Sequence, residues 1–226
     1  MVRTEELSIG YGGRSMVEGI SFEACPGECI LLCGSNGSGK STLMKTLAGL
    51  LQPIGGRIAC DGTMVLVPTG IPKVKGFTMR EFIRTGCYRD TNLWGKASER
   101  MSSEMEEAMD LLDIAGLADR DISEISDGEF QKACIASALT RNASVLLLDE
   151  PTAFLDVDSR ATVLQALAKI AMEKGKTILF SSHDIHESAA VCTRILGIGR
   201  TGRFADSLLS SKENVLSECF ASFGKA

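Results

Sequence analysis

The segment at residues 34–42 constrains the chain most, because it reads Gly-Ser-Asn-Gly-Ser-Gly-Lys-Ser-Thr directly after an apolar run at residues 29–33. The apolar run predicts a buried strand. Helical apolar spacing follows at Leu43, Leu47, Leu50 and Leu51. A glycine-rich loop between a strand and a helix presents backbone N–H groups at the helix start, where they bind phosphate. The sequence therefore predicts an α/β core that binds a nucleotide.

The residue types of this loop suit a polyphosphate. The glycines let the backbone turn tightly, Lys40 brings a charge to the β- and γ-phosphates, and the Ser41 hydroxyl is a ligand for Mg²⁺. Thr42 adds a further phosphate contact. The predicted phosphate-binding residues are Gly34, Ser35, Asn36, Gly37, Ser38, Gly39, Lys40, Ser41 and Thr42.

A second candidate element is the apolar run at residues 145–148, which ends in Asp149 and Glu150. Such a run predicts a central parallel strand, and ligands bind at the carboxyl ends of parallel strands. We expect Asp149 to bind Mg²⁺, directly or through water, and Glu150 to activate the attacking water. An acidic turn after a strand is common, so this assignment depends on the phosphate loop.

With these elements in place, the chain resembles the ATP-binding-cassette (ABC) ATPases. Residues 126–131 read Ser-Asp-Gly-Glu-Phe-Gln, where that family carries its Leu-Ser-Gly-Gly-Gln signature. Tyr11 is similar to the family's adenine-stacking aromatic residue, residues 153–156 to its D-loop, and His183 to its switch histidine. The resemblance covers nearly the whole chain and follows the family's order of motifs.

The resemblance implies a homodimer in which each ATP lies between one subunit's phosphate loop and the other's signature. Glu150 is then the catalytic base and His183 the phosphate sensor. The signature residues implied to contact nucleotide are Ser126, Asp127, Gly128 and Glu129, and Asp156 is implied by the D-loop. From the residues alone, the Ser126 hydroxyl and the N–H groups of Gly128 and Glu129 would complete an anion site from the opposite side. His183 and His186 also have a spacing that suits a metal pair, and we expect His186 to be a solvated helix residue instead.

Two residues depart from the family pattern. Thr69 stands where the family has a glutamine that binds Mg²⁺, and its shorter side chain would need an inward loop movement or a bridging water. Asp127 replaces the first signature glycine and adds a carboxylate beside a polyanion site. We expect Asp127 to point away and to cap a helix that begins near Gly128.

The predicted fold class is α/β, with a P-loop NTPase core of mostly parallel sheet, a small antiparallel β layer and a helical insert subdomain. We expect one ABC ATPase domain over residues 1–226. Residues 1–69 and 143–226 form its core, and residues 70–142 form a helical subdomain that carries the signature. The sequence contains no internal repeat, so we expect one cassette and not a tandem pair.

Composition limits the location and the partners of the chain. Its net charge is −5 and it has no long basic run, so we expect no nucleic-acid partner. Neither a run of about 18 apolar residues nor a signal peptide is found. The 8 cysteines contain no Cys-x-x-Cys pair, which favours a reducing compartment and buried free thiols. These features predict a cytoplasmic protein, and the resemblance places it on the inner face of the cell membrane.

Several functions remain open at this point. Residues 76–83, followed by residues 86–89 and 93–96, look like bacterial importer ATPases for iron-siderophore, haem or cobalamin. That resemblance implies ATP and Mg²⁺ as cofactors, an integral-membrane permease as partner and, indirectly, a substrate-binding protein. The alternatives are an ABC ATPase without a permease, for example in iron–sulfur cluster assembly, and the ATPase subunit of an exporter.

Overall fold

The computed structural model describes residues 1–86, 99–199, 201–208 and 210–220, with the backbone alone for residues 99–101. Across these residues, none of the helices combines the length and the apolar character that a bilayer span needs. The segment at residues 87–98, which carried part of the importer resemblance, lies outside the described residues.

The larger of two sheets has six strands, five of them parallel. In spatial order these are β5 (Met64–Val67), β6 (Val145–Leu148), β7 (Thr177–Ser181), β3 (Cys29–Gly34) and β8 (Arg194–Ile198). The edge strand β9 (Phe204–Asp206) pairs antiparallel with β8. The carboxyl ends of β3, β6 and β7 therefore meet at one edge of the sheet.

A smaller antiparallel sheet is formed near the chain start. Its strands are β1 (Val2–Tyr11), β2 (Arg14–Ala24) and β4 (Gly55–Cys60), in the order β2, β1, β4. The register pairs Val2 with Ala24 on one side and with Cys60 on the other. This is the predicted antiparallel layer.

Seven helices of the described residues accompany the sheets. They are α1 (Lys40–Leu47), α2 (Met79–Arg84), α3 (Glu99–Leu111), α4 (Asp127–Leu139), α5 (Val157–Lys174), α6 (Ile185–Val191) and α7 (Lys212–Cys219), with a 3₁₀ turn at Ala115–Leu117. Thr78 caps α2 through a reciprocal pair of hydrogen bonds with Glu81.

The parallel sheet separates two apolar cores. Along β3, Leu31 and Cys33 belong to the core shared with α3, α4 and α5, whereas Ile30 and Leu32 face the core shared with α1 and the antiparallel sheet. Successive side chains of a strand point to opposite faces. Burial of both faces explains why the strand is apolar throughout instead of alternating.

The mixed α/β fold confirms the predicted fold class, whereas the predicted length of α1 differs from the structure. The helix after the phosphate loop was expected to reach Leu51 and ends at Leu47, because Gly49 turns the backbone with a φ of 73°. Leu50 is consequently 66% exposed. The edge strand β9 and the helix α7 were not predicted.

Candidate functional site

The phosphate loop needs glycine where neighbouring groups leave no space. A Cβ atom on Gly34 would lie 2.5 Å from Ser38 Oγ and 2.7 Å from the Ile198 carbonyl oxygen. Gly39 begins α1 with a φ of 113°, and its Cβ would lie 3.2 Å from Val17 Cγ2. Side chains at these positions would distort the loop, so its path depends on the missing Cβ atoms.

Lys40 lies at the start of α1 and is buried, with its ammonium held on the loop. Its Nζ donates hydrogen bonds to the carbonyl oxygens of Gly34 at 2.8 Å and Ser35 at 3.2 Å. Burial lowers the pKa of Lys40, and the negative charges of Glu150 and Asp149 partly oppose this shift. The lysine charge and the two acidic side chains therefore share one site.

The two acidic residues at the end of β6 are held by Ser181, the last residue of the neighbouring strand β7. Ser181 Oγ donates to Asp149 Oδ1 at 2.8 Å and accepts from the Glu150 N–H at 2.9 Å. Ser181 is fully buried. Glu150 has a φ of 52°, which is uncommon for a residue with a side chain, and the hydrogen bond that its N–H donates to Ser181 supports this conformation.

Glu150 and His183 face each other over the phosphate loop. Their side chains approach to 2.6 Å between Nε2 and Oε1. A cavity of about 280 Å³ lies at this contact. Its described lining is Met16, Asn36, Gly37, Gly39, Lys40, Ser41, Thr42, Glu150 and His183. The structure thus brings the loop, the acidic residue and the histidine to one place.

Thr69 and Tyr11 flank this site. The Thr69 hydroxyl donates to the Asp149 carbonyl oxygen at 2.7 Å, so Thr69 is held on the backbone of the residue with which it was expected to share a metal. Tyr11 ends β1 and is 52% exposed, with its hydroxyl 3.4 Å from Thr42 Oγ1. An exposed ring beside the loop is available for stacking.

The start of α4 differs from the prediction. Ser126, not Asp127, is the N-cap: its hydroxyl accepts from the Glu129 N–H at 3.2 Å, and the Glu129 carboxylate accepts from the Ser126 N–H at 2.7 Å. This backbone hydrogen bond lowers the pKa of Glu129. The Glu129 N–H was expected to be free for an anion and is instead part of the cap.

Asp127 is the first helical residue and not a cap, so that prediction is wrong. Helix formation can begin at Asp127 because Ser126 supplies the capping oxygen. The Asp127 carboxylate pairs with Lys73 at 2.7 Å and remains largely exposed. Its place in the first turn still suits the helix dipole.

The D-loop packs against the signature of the same chain. A Cβ atom on Gly128 would lie 3.0 Å from Leu155 Cδ2 and 3.0 Å from the Phe154 carbonyl oxygen, so glycine permits this contact. The Asp156 carboxylate caps α5 by accepting from the Ser159 N–H at 2.8 Å, which lowers its pKa. Neither Asp156 nor the residues at 126–129 belong to the described lining of the phosphate-loop cavity.

Sequence reasoning missed three residues with a place in this region: Ser181, Met16 and Lys73. Ser181 had a detectable signal, because a polar residue closes the apolar strand Thr177–Ser181 at its carboxyl end. Met16 reaches the cavity from β2, and nothing in its local pattern indicates this. Lys73 contacts the signature from a distant segment.

Comparison with known proteins agrees with this geometry. The family model for ABC transporters matches residues 17–153. An ABC transporter ATP-binding protein of Methanocaldococcus jannaschii is 35% identical over 208 residues, covering 86% of this chain and 72% of that protein. The iron(3+)-hydroxamate import ATP-binding protein FhuC of Bacillus subtilis is 31% identical over 199 residues, covering 82% and 74%.

A solved structure has the same fold over almost the whole chain. It is an inward-facing conformation of a transporter described as metal-chelate type, with a TM-score of 0.84 and 25% identity, covering 97% of this chain and 88% of that one. The motifs, the fold and the matched family agree. The chain therefore belongs to the ABC transporter family and is one of its nucleotide-binding ATPases.

Proposed function

We propose that this chain is the ATP-hydrolysing subunit of an importer for an iron chelate, and that it acts as a homodimer which drives a membrane permease. The observation that carries the catalytic part is the Glu150 carboxylate, placed at the phosphate-loop cavity and 2.6 Å from His183. In this proposal residues 1–226 form one cassette, with a helical subdomain at residues 70–142 between the two parts of the core.

Glu150 is the proposed catalytic base, because its side chain lies beside the loop that would hold the γ-phosphate. His183 orients Glu150 and reports the presence of that phosphate. Ser181 keeps Glu150 in its left-handed conformation and Asp149 beside it. An attacking water held by Glu150 would then be in line with the γ-phosphate.

The proposed nucleotide ligands are the N–H groups of residues 34–42, the ammonium of Lys40 and the ring of Tyr11. The Ser41 hydroxyl and the Asp149 carboxylate are the proposed Mg²⁺ ligands, and hard oxygen donors of this kind suit that ion. Bound Mg²⁺ would neutralise charge on the β- and γ-phosphates. Thr69 would reach the ion through water, because its side chain is shorter than that of a glutamine and its hydroxyl is held against the Asp149 carbonyl oxygen.

A second copy would complete the site. The signature residues Ser126 and Gly128 do not belong to the described lining of the cavity, which supports a role opposite the phosphate loop of a second copy. Phe154 in the D-loop is 66% exposed, and Val157, directly after the D-loop, is 65% exposed. Association with a second copy would cover these apolar side chains and bring one signature to the other phosphate loop.

The importer assignment draws on the relatives named for iron(3+)-hydroxamate and on the metal-chelate type transporter. A substrate-binding protein that delivers the chelate to the permease follows from the same assignment. Localisation on the inner face of the cell membrane also follows from it, since the ATP and the permease would both be reached there. The second candidate is an ABC ATPase without a permease, and the transport experiment below separates the two.

The catalytic proposal is tested with Glu150→Gln and with the matched control Glu173→Gln, which removes the same charge from an exposed position on α5. Glu150→Gln should bind ATP, lower the turnover at least about 100-fold and accumulate a dimer when ATP is added. The readouts are phosphate release and sedimentation velocity, both across a range of protein concentration. Wild-type turnover in Glu150→Gln would show that another group activates the water.

The transport proposal needs a cellular measurement. Replacing the chromosomal gene by the Glu150→Gln variant should abolish uptake of a radiolabelled ferric hydroxamate by iron-limited cells, while Glu173→Gln leaves the uptake at the wild-type rate. If Glu150→Gln abolished the uptake of another ferric chelate and not of the hydroxamate, the imported substrate would be that other chelate. Unchanged uptake of every ferric chelate would favour an ATPase that does not serve iron import.

A further inference from the structure

Lys73 links the segment after Thr69 to the signature. Its side chain is 23% exposed, and its ammonium meets three groups at the start of α4. Nζ donates to the Ile125 carbonyl oxygen at 2.6 Å, pairs with Asp127 Oδ1 at 2.7 Å and lies 6.0 Å from the centre of the Phe130 ring. One lysine therefore contacts the residues on both sides of the N-cap Ser126.

The start of α4 carries negative charge that a cation can neutralise. The first turn of α4 carries two carboxylates, Asp127 and Glu129. Glu129 is held by the cap, and the charges of Arg120 and Lys132 act on it. Asp127 is largely exposed, and in the part of the chain that the structure describes its ion-pair partner is Lys73. Without that cation, the carboxylate would oppose any phosphate that approaches this helix start.

The other end of the segment is bound to the catalytic strand. The Thr69 hydroxyl donates to the Asp149 carbonyl oxygen at 2.7 Å, four residues before Lys73. Residues 69–73 therefore run from the acidic end of β6 to the start of α4. A contact at each end limits how far the signature can move relative to Asp149.

We propose that Lys73 is a positioning residue for the signature. It cancels the charge of Asp127 and holds the start of α4, so that this helix end can receive the γ-phosphate of an ATP held by a second copy. Asp127, which stands where the family signature has a glycine, and Lys73 would then be a compensating pair of charges. The inference rests on the proposed homodimer with shared sites.

The experiment is a double-mutant cycle in the full chain, with wild type, Lys73→Met, Asp127→Asn and the double variant. Asp127 is open to solvent, so the ion pair is partly screened and Lys73→Met should lower kcat/KM for ATP about fivefold, the equivalent of about 1 kcal/mol. The affinity of the Lys73→Met monomer for ATP, measured at high dilution, should equal that of the wild-type monomer, because Lys73 does not belong to the described lining of the phosphate-loop cavity. Adding Asp127→Asn to Lys73→Met should restore kcat/KM to within about twofold of wild type.

Two further variants separate charge from structure. Lys73→Arg keeps the charge and should retain most of the activity. Lys75→Met is the matched control, because Lys75 is an exposed lysine two residues after Lys73 and its charge acts on Asp121. It should leave kcat/KM unchanged.

The outcomes are distinguishable. An active wild type with no loss in Lys73→Met overturns this inference alone. A loss in Lys73→Met that Asp127→Asn does not rescue shows that Lys73 has only a structural role and overturns the charge compensation. A wild-type chain without ATP turnover at any concentration overturns the proposed function, and this inference with it.

Discussion

Substitution of Ser181 by alanine tests how Asp149 and Glu150, the proposed Mg²⁺ ligand and the proposed catalytic base, are held. The Ser181 hydroxyl is fully buried between two strands, and it bonds Asp149 and the Glu150 N–H at once. Glu150 has a φ of 52°, a conformation that costs about 1 kcal/mol or more for a residue with a Cβ atom. Such strain persists only while neighbouring groups hold it, so Ser181→Ala should release Glu150.

The expected magnitude follows from the two bonds. A hydrogen bond to a charged group contributes about 1.5–3 kcal/mol, and a buried N–H left without a partner costs about 1–3 kcal/mol. Relaxation of the backbone recovers part of this, which leaves roughly 2–4 kcal/mol. We expect the free energy of unfolding to fall within that range, and kcat to fall about 10- to 100-fold as Glu150 leaves the position beside His183.

The measurements are phosphate release at saturating ATP and Mg²⁺, and urea unfolding monitored by circular dichroism. The matched control is Ser188→Ala, because Ser188 is also fully buried and its hydroxyl has no hydrogen-bond partner among the described residues. The control should change stability by less than about 1 kcal/mol and leave kcat unchanged. A wild-type kcat in Ser181→Ala, or equal losses in both variants, would refute the reasoning.

Three further predictions concern other parts of the molecule. Arg194 is buried against Asp206 of the edge strand β9, so Arg194→Met should lower the free energy of unfolding in urea by about 3–5 kcal/mol. Adding Asp206→Asn should recover part of that loss. A loss under about 1 kcal/mol in Arg194→Met would contradict this prediction. Thr69→Gln should lower the Mg²⁺ concentration that gives half-maximal turnover, because a glutamine oxygen can reach the ion directly; an unchanged Mg²⁺ titration would count against that role. Burial raises the pKa of Cys134 to about 12, so at pH 8 its thiolate fraction is about 10⁻⁴. Iodoacetamide should therefore label Cys134 far more slowly than the exposed Cys25, and the labelling rate of Cys134 should rise as the pH increases. Equal labelling rates of the two cysteines, measured by peptide mass spectrometry, would show that Cys134 is accessible.

Local sequence patterns were enough to predict most of the elements. The predicted strands at residues 29–33 and 145–148 correspond to β3 (Cys29–Gly34) and β6 (Val145–Leu148), because each is a short apolar run that is buried on both faces. The loop at residues 34–42 was recognisable because its glycines, lysine and hydroxyls are consecutive. The helix that follows was predicted too long, since the turn at Gly49 depends on one backbone angle that apolar spacing does not reveal.

The cap of α4 shows the limit of residue preferences. Serine and aspartate are both favoured N-caps and stand next to each other at 126 and 127. Ser126 is the N-cap because its reciprocal hydrogen bonds with Glu129 satisfy two backbone N–H groups at once. The helix therefore begins one residue earlier than predicted, and Asp127 is left to pair with Lys73.

The sequence alone determined the fold class and the candidate residues for phosphate and acid chemistry, because these signals are consecutive along the chain. The tertiary structure alone decided what holds those residues in place. Ser181 reaches Asp149 across 32 positions in the sequence, and Lys73 reaches Ile125 across 52. Such contacts are set by the order of strands in the sheet and by how the helices pack on it, and no local pattern of residues encodes either.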